Sequence, residues 1–292
     1  MFQTLNRTRP HTGFLLCACS LMLTLASPSR LAGQDLESSN PRAISFYKEG
    51  LQLAEQDRFN EALEKLHQAI EADPNFIQAH LRYMDAFRSV GRGEEVVNMY
   101  KNMLKQNPGS ALYHFLYGRT LSDMDAKRAE YKKALTAEPT FYWAQLGIGG
   151  SYLMEKRYDE AIVALNKTLD LKPGMVDAMH LLAGIYLEKS MPHQARRLLE
   201  EAIAIDTTDA GTYIRLGQAY SQLERFQSAE KAFLKAIALE PGKPLIYYYL
   251  GLSREIGNNR QGALEAYRKF LDMAPNHELA QSAKMNIEKL SK

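Results

Sequence analysis

Cysteine is nearly missing from this chain of 292 residues; the only two are Cys17 and Cys19, close to the start. A disulfide-stapled scaffold and a cysteine-rich zinc module are therefore excluded. Excess charge is missing too. The chain has 36 Lys and Arg against 34 Asp and Glu, a net of +2, so no electrostatic argument supports nucleic acid or an anionic membrane as partner. Tryptophan occurs once, at Trp143. No apolar run reaches the roughly 20 residues that cross a bilayer as a helix. What is present is 46% apolar, 10% aromatic and 24% charged residues, a globular composition with ample material for a core.

Residues 1–33 read as a secretory signal. Arg7 and Arg9 give a basic start, and a 13-residue apolar run from Phe14 to Ala26 follows before Pro28. Cleavage after Ala26 or Gly33 would leave a mature chain with no cysteine. The later cleavage removes three basic residues and takes the net charge from +2 to −1. The expected location is periplasmic or secreted, with an uncleaved anchor as the alternative. Residues 34–42 read as a polar linker.

The remainder is periodic. Prolines that precede a fresh apolar helix stand at 74, 108, 139, 173, 241 and 275, at intervals of 34, 31, 34, 68 and 34. The spacing predicts seven units, 43–76, 77–110, 111–141, 142–175, 176–209, 210–243 and 244–277, and a capping helix over 278–292. Place eight of the units is small, as Gly50, Gly118, Gly149, Ala183, Gly217 and Gly251, except for Met84. Place twenty is mostly alanine, with Val96 and Lys127 as departures. Place twenty-four is always bulky: Leu66, Tyr100, Tyr131, Leu165, Leu199, Phe233 and Tyr267. Small residues let two helices approach, and bulky ones fill the space beside the contact. Proline at place thirty-two stops the second helix.

These columns resemble the tetratricopeptide repeat (TPR) family, whose small, aromatic and proline positions they match over most of the chain. The resemblance implies an all-α fold, a right-handed α-solenoid of about seven stacked helix-turn-helix repeats. The third unit is three residues short, which predicts a tightened turn there. The fifth lacks its proline at Thr207, but Asp206, Thr207, Thr208 and Asp209 are all good capping types for the next helix.

No catalytic constellation emerges, and no enzyme activity, cofactor or metal is expected. His67, His80, His114, His180, His193 and His277 show no metal-protease spacing. His80 and His114 share place four of adjacent units and read as a packed pair. Gly147-Ile148-Gly149-Gly150 follows no strand and falls at the glycine column, so a phosphate loop is rejected.

In the family, places two, five and nine of each first helix line a concave groove. Carried onto this sequence, the groove residues are Tyr47, Leu81, Leu112, Phe115, Arg119, Trp143, Leu146, His180, Ile214, Tyr248 and Leu252. An apolar strip of this kind marks a binding surface, and aromatic anchors beside Arg119 fit an interface hot spot. The expected role is an exported, non-enzymatic adaptor that binds protein or peptide segments, set in cell-envelope assembly. The alternatives are a structural module that forms a homo-oligomer, and an accessory subunit that positions substrate for a separate enzyme. Neither nucleic acid nor a membrane span in the mature chain is expected.

Overall fold

The computed structural model describes residues 36–292, so the leader lies outside the described residues. Among them are 15 helices and no strand. Fourteen helices form antiparallel hairpins: α1 (Pro41–Glu55) with α2 (Phe59–Ala72), α3 (Ile77–Ser89) with α4 (Gly93–Gln106), α5 (Ala111–Thr120) with α6 (Met124–Ala137), and α7 (Tyr142–Met154) with α8 (Tyr158–Leu171). Then come α9 (Val176–Glu188) with α10 (Pro192–Ile205), α11 (Ala210–Gln222) with α12 (Phe226–Leu239), and α13 (Pro244–Ile256) with α14 (Arg260–Met273). A last helix, α15 (Ala280–Ser291), packs on α14.

The turns inside the hairpins share one device. Asp57, Gly91, Lys156, Ser190, Glu224 and Asn258 all have positive φ, between 56° and 75°. The next amide reaches back to the first helix, as Arg58 N–H does to Leu53 O at 3.0 Å and Arg225 N–H to Tyr220 O at 2.8 Å. This is a Schellman closure, which satisfies carbonyls that the helix end would leave open. The third hairpin lacks it. There α5 has 10 residues where α3 has 13, Leu121 is extended, and Asp123 caps α6 by accepting from Ala126 N–H at 2.7 Å. In the hairpin whose preceding turn lacks proline, Asp209 caps α11, accepting from the amides of Gly211 and Thr212.

Close approach explains the small-residue column. A Cβ on Gly217 would lie 2.6 Å from Phe233 Cε1, and one on Gly149 would lie 2.7 Å from Leu165 Cγ. The Gly147–Gly150 run is therefore a packing feature of α7, since a Cβ on Gly147 would lie 2.7 Å from Tyr131 Cε2. Where Met84 and Val96 replace the small residues, the backbones of α3 and α4 approach least closely of all the hairpins.

Stacking sets the sides of the solenoid. Each first helix also meets the next first helix, α1 with α3 through α11 with α13, and the second helices do not meet one another to that degree. The stack therefore bends toward the first helices, which form the inner wall. At the far end, Ala283 is buried, and Leu279, Ile287 and Leu290 pack beside it against the last hairpin. The other face of α15 is wet, as an end-capping helix requires.

Candidate functional site

The inner wall is less open than the sequence suggests. Of the eleven groove residues, Tyr47, Phe115, Leu112, Trp143, His180 and Tyr248 are buried, the first two only 2% and 1% exposed. This corrects the expectation that these residues together form an exposed apolar strip. The cause is lateral packing, since a ring at place two or five of one first helix is covered by neighbouring helices. Tyr47 lies 4.8 Å from the Phe76 ring, and Phe115 sits against Tyr131, Phe141 and Trp143 at 5.6, 5.7 and 6.2 Å. Tyr248 is covered by Phe270 at 5.3 Å, and its hydroxyl meets Ser282 Oγ on α15 at 3.1 Å. His180 is an internal tie between repeats. Its Nε2 contacts Thr212 Oγ1 at 2.5 Å, and that hydroxyl donates to Asp209 Oδ2 at 2.6 Å.

Leu81, Arg119, Leu146, Ile214 and Leu252 keep partial exposure on the wall, and they are the side chains a visitor can touch. Arg119 is the most unusual of them. Its Nε is buried without a hydrogen-bond partner among the described residues, and its guanidinium lies 5.9 Å from the Phe115 ring centroid. Lys127 stands close by. Burial is the main cause that lowers its pKa, and the charges of Arg119 and Arg88 add to the effect. In the shortened hairpin, a lysine of α6 in a small-residue column thus adds its charge beside the Arg119 of α5.

The stretch read as a linker holds the largest departure. Over residues 36–40 it is anchored and not free. Ser38 Oγ donates to Asp73 Oδ2 at 2.6 Å, and Asn40 Nδ2 donates to Ala72 O at 2.7 Å. Asn40 Oδ1 caps α1, accepting from Arg42 N–H at 3.0 Å. Leu36 packs against the core. Glu37 reaches across the wall to the fourth hairpin, where the Trp143 indole N–H donates to its Oε2 at 2.8 Å and its Oε1 at 3.0 Å. Desolvation holds the Glu37 carboxyl above the usual range, and the Trp143 hydrogen bond and the charge of Lys172 oppose that rise. Beside this contact is a cavity of about 110 Å³, lined by Glu37, Gln78, Trp143, Lys172, Met175 and Asp177 among others.

The two place-four histidines do different work from a pair. His80 Nε2 donates to Pro74 O at 2.9 Å and Nδ1 accepts from the Tyr100 hydroxyl at 3.0 Å. His114 Nε2 meets Pro108 O at 3.0 Å, and its Nδ1 meets Glu130 Oε2 at 2.7 Å. Each ring fastens its first helix to the turn before it.

A bent stack of helical hairpins with a side-chain-lined inner wall defines a helical-repeat solenoid. Family models described as tetratricopeptide repeat match residues 53–121 and 214–278, and a model of anaphase-promoting complex (cyclosome) subunit 3 matches 154–236. The chain thus carries tetratricopeptide repeats. It is 22% identical over 250 residues to TPR repeat-containing protein YpiA of Bacillus subtilis, covering 73% of this chain and 59% of that protein. It is 29% identical over 136 residues to type IV pilus assembly protein PilF of Pseudomonas aeruginosa, covering 46% of this chain and 53% of PilF. The chain spans little more than half the length of these curated relatives. Among solved structures, YrrB, described as a TPR protein with an unusual peptide-binding site, superposes with a TM-score of 0.54 at 24% identity, over 64% of this chain and 97% of YrrB.

Proposed function

We propose that this chain is an exported, non-enzymatic scaffold that docks protein or peptide segments on its first-helix wall, in the service of cell-envelope assembly. The observation that carries the docking reading is the lodging of Leu36–Asn40. A stretch of non-helical backbone already lies beside the wall, held by Trp143 through one carboxylate. A partner segment would meet the same surface, together with Leu81, Arg119 and Leu146. A preformed wall of packed helices loses little entropy on binding, which favours affinity for a short segment. The basic and apolar leader supports export, and the similarity to a pilus assembly protein supports the envelope setting.

The test is affinity capture from the native host with fractionation. Leu146→Glu and Arg119→Glu are expected to cut recovery of bound protein by roughly tenfold or more, the scale of a hot-spot loss, with helical circular dichroism unchanged. Val163→Glu, on a residue 57% exposed on α8, should capture normally. Equal capture by all three variants would refute the wall as the docking surface. Phe115→Asp is unsuited to this test, because it would bury a charge in the core and act through stability.

A further inference from the structure

The contact between Glu37 and Trp143 carries an inference about what the wall accepts, which rests on the docking reading above. We propose that Trp143 and Lys172 form a carboxylate subsite, that Glu37 fills it in the free chain, and that the partner is an acidic segment whose own carboxylate displaces Glu37. Three observations converge. The carboxylate is held by both its oxygens on one indole N–H, at 2.8 and 3.0 Å, between residues 106 apart in sequence. A cavity of about 110 Å³ adjoins it, lined by Lys172 as well as by Asp177, so the subsite has room for more than the one side chain and Lys172 is the cation that must favour a carboxylate there over the Asp177 charge. Third, the Phe115 ring beside Trp143 leads along the wall to Arg119, whose charge is felt by Lys127 on α6, and the described residues supply neither cation with an ion pair. Uncompensated, partly buried positive charge on a path that starts at a carboxylate site matches an acidic ligand.

The residues Leu36–Ser39 act as a strap. Ser38 and Asn40 tether it to the turn between α2 and α3, which keeps Glu37 at high local concentration beside Trp143. If the strap holds the subsite nine-tenths of the time, a ligand in trans binds about tenfold more weakly than it would to an open subsite. Glu37 as a residue is exposed, although its carboxyl end is desolvated where it meets Trp143, so a substitution there leaves the core intact.

Trp143 is the only tryptophan among 16 tyrosines, so fluorescence of the full chain excited to the red of tyrosine absorption reports this subsite alone. Glu37→Gln is expected to increase quenching of Trp143 by iodide, because a repelling carboxylate is gone and Lys172 remains. The capped peptide QDLESSN, which copies residues 34–40, is expected to bind Glu37→Gln about tenfold more tightly than the wild type by calorimetry. The peptide QDLQSSN should bind Glu37→Gln at least about tenfold more weakly than QDLESSN, the cost of losing a charge-assisted hydrogen bond. In Glu37→Gln/Lys172→Gln that discrimination should shrink. Equal quenching in wild type and Glu37→Gln, or equal binding of the two peptides, would overturn the subsite. If the subsite fails while Leu146→Glu still abolishes capture from the host, the docking wall stands without it. If the subsite holds while capture is untouched, the docking wall falls instead.

Discussion

Replacing Gly217 with valine is expected to destabilise the chain by about 3 kcal/mol, the upper part of the range for forcing extra atoms into a packed core. A Cβ at this position would stand 2.6 and 2.7 Å from Cε1 and Cζ of Phe233, and Phe233 is 1% exposed. The ring is stacked on Tyr249 of the next hairpin at 6.5 Å, so it cannot move aside without disturbing that contact. Phe233→Ala alone is expected to cost about 4 kcal/mol, as deletion of a buried aromatic ring does. In the Phe233→Ala background the valine fills part of the vacated volume, so the two costs should fall short of their sum by about 1–2 kcal/mol. Urea melts of the four chains of this cycle, followed by circular dichroism, measure the coupling. Simple additivity would mean that place eight and place twenty-four do not share one packing contact.

Acidification is expected to remove about 3 kcal/mol of stability between pH 6.5 and pH 4 through His80 alone. Burial, opposed by the Pro74 carbonyl and the charge of Asp73, lowers the His80 pKa from 6.5 to about 4. Between those values the unfolded imidazole binds a proton that the folded one refuses. Unfolding therefore takes up protons in that window, and folded-state stability falls as pH falls. Above pH 6.5 the ring is neutral in both states and its contribution is complete. The neutral form is what the structure uses, with one nitrogen donating to Pro74 O and the other accepting from Tyr100. His80→Gln keeps polar capacity without a titration. Its difference in stability from wild type should therefore be largest at neutral pH and shrink toward pH 4. A pH-independent difference would refute the assignment.

The architecture is legible in the sequence because a repeat writes the same local packing rule several times. Glycine at place eight facing a bulky residue at place twenty-four needs only one hairpin to be understood, and Met84 with Val96 already signals the hairpin whose helices stand apart. Capping chemistry is equally local, as Asp209 at the start of α11 shows. The wall is harder to read. Whether Phe115 or Tyr47 faces solvent depends on how far adjacent hairpins rotate against each other, and the columns carry no term for that rotation. Phe115 looks inward by its place on the helix, but the rings of Tyr131, Phe141 and Trp143 close over it. The Glu37 contact with Trp143 was least accessible of all. It lies outside the periodic region at one end, and only the accumulated bend of several repeats brings its two partners together. A lone acidic residue in a polar stretch gives no sign of it. The departure at Lys127 did carry a signal, since a charge in a small-residue column marks the hairpin in which a second cation stands beside Arg119.

Site-specific photo-cross-linking in the native host tests the role of the inner wall most directly. A photoreactive side chain at Leu146, partly exposed on α7, is compared with one at Val163, exposed on α8. Adducts with other proteins that form at position 146 and not at position 163 are the expected result. Adducts at position 163 with none at position 146 would contradict docking on the first-helix wall and move recognition to the outer helices.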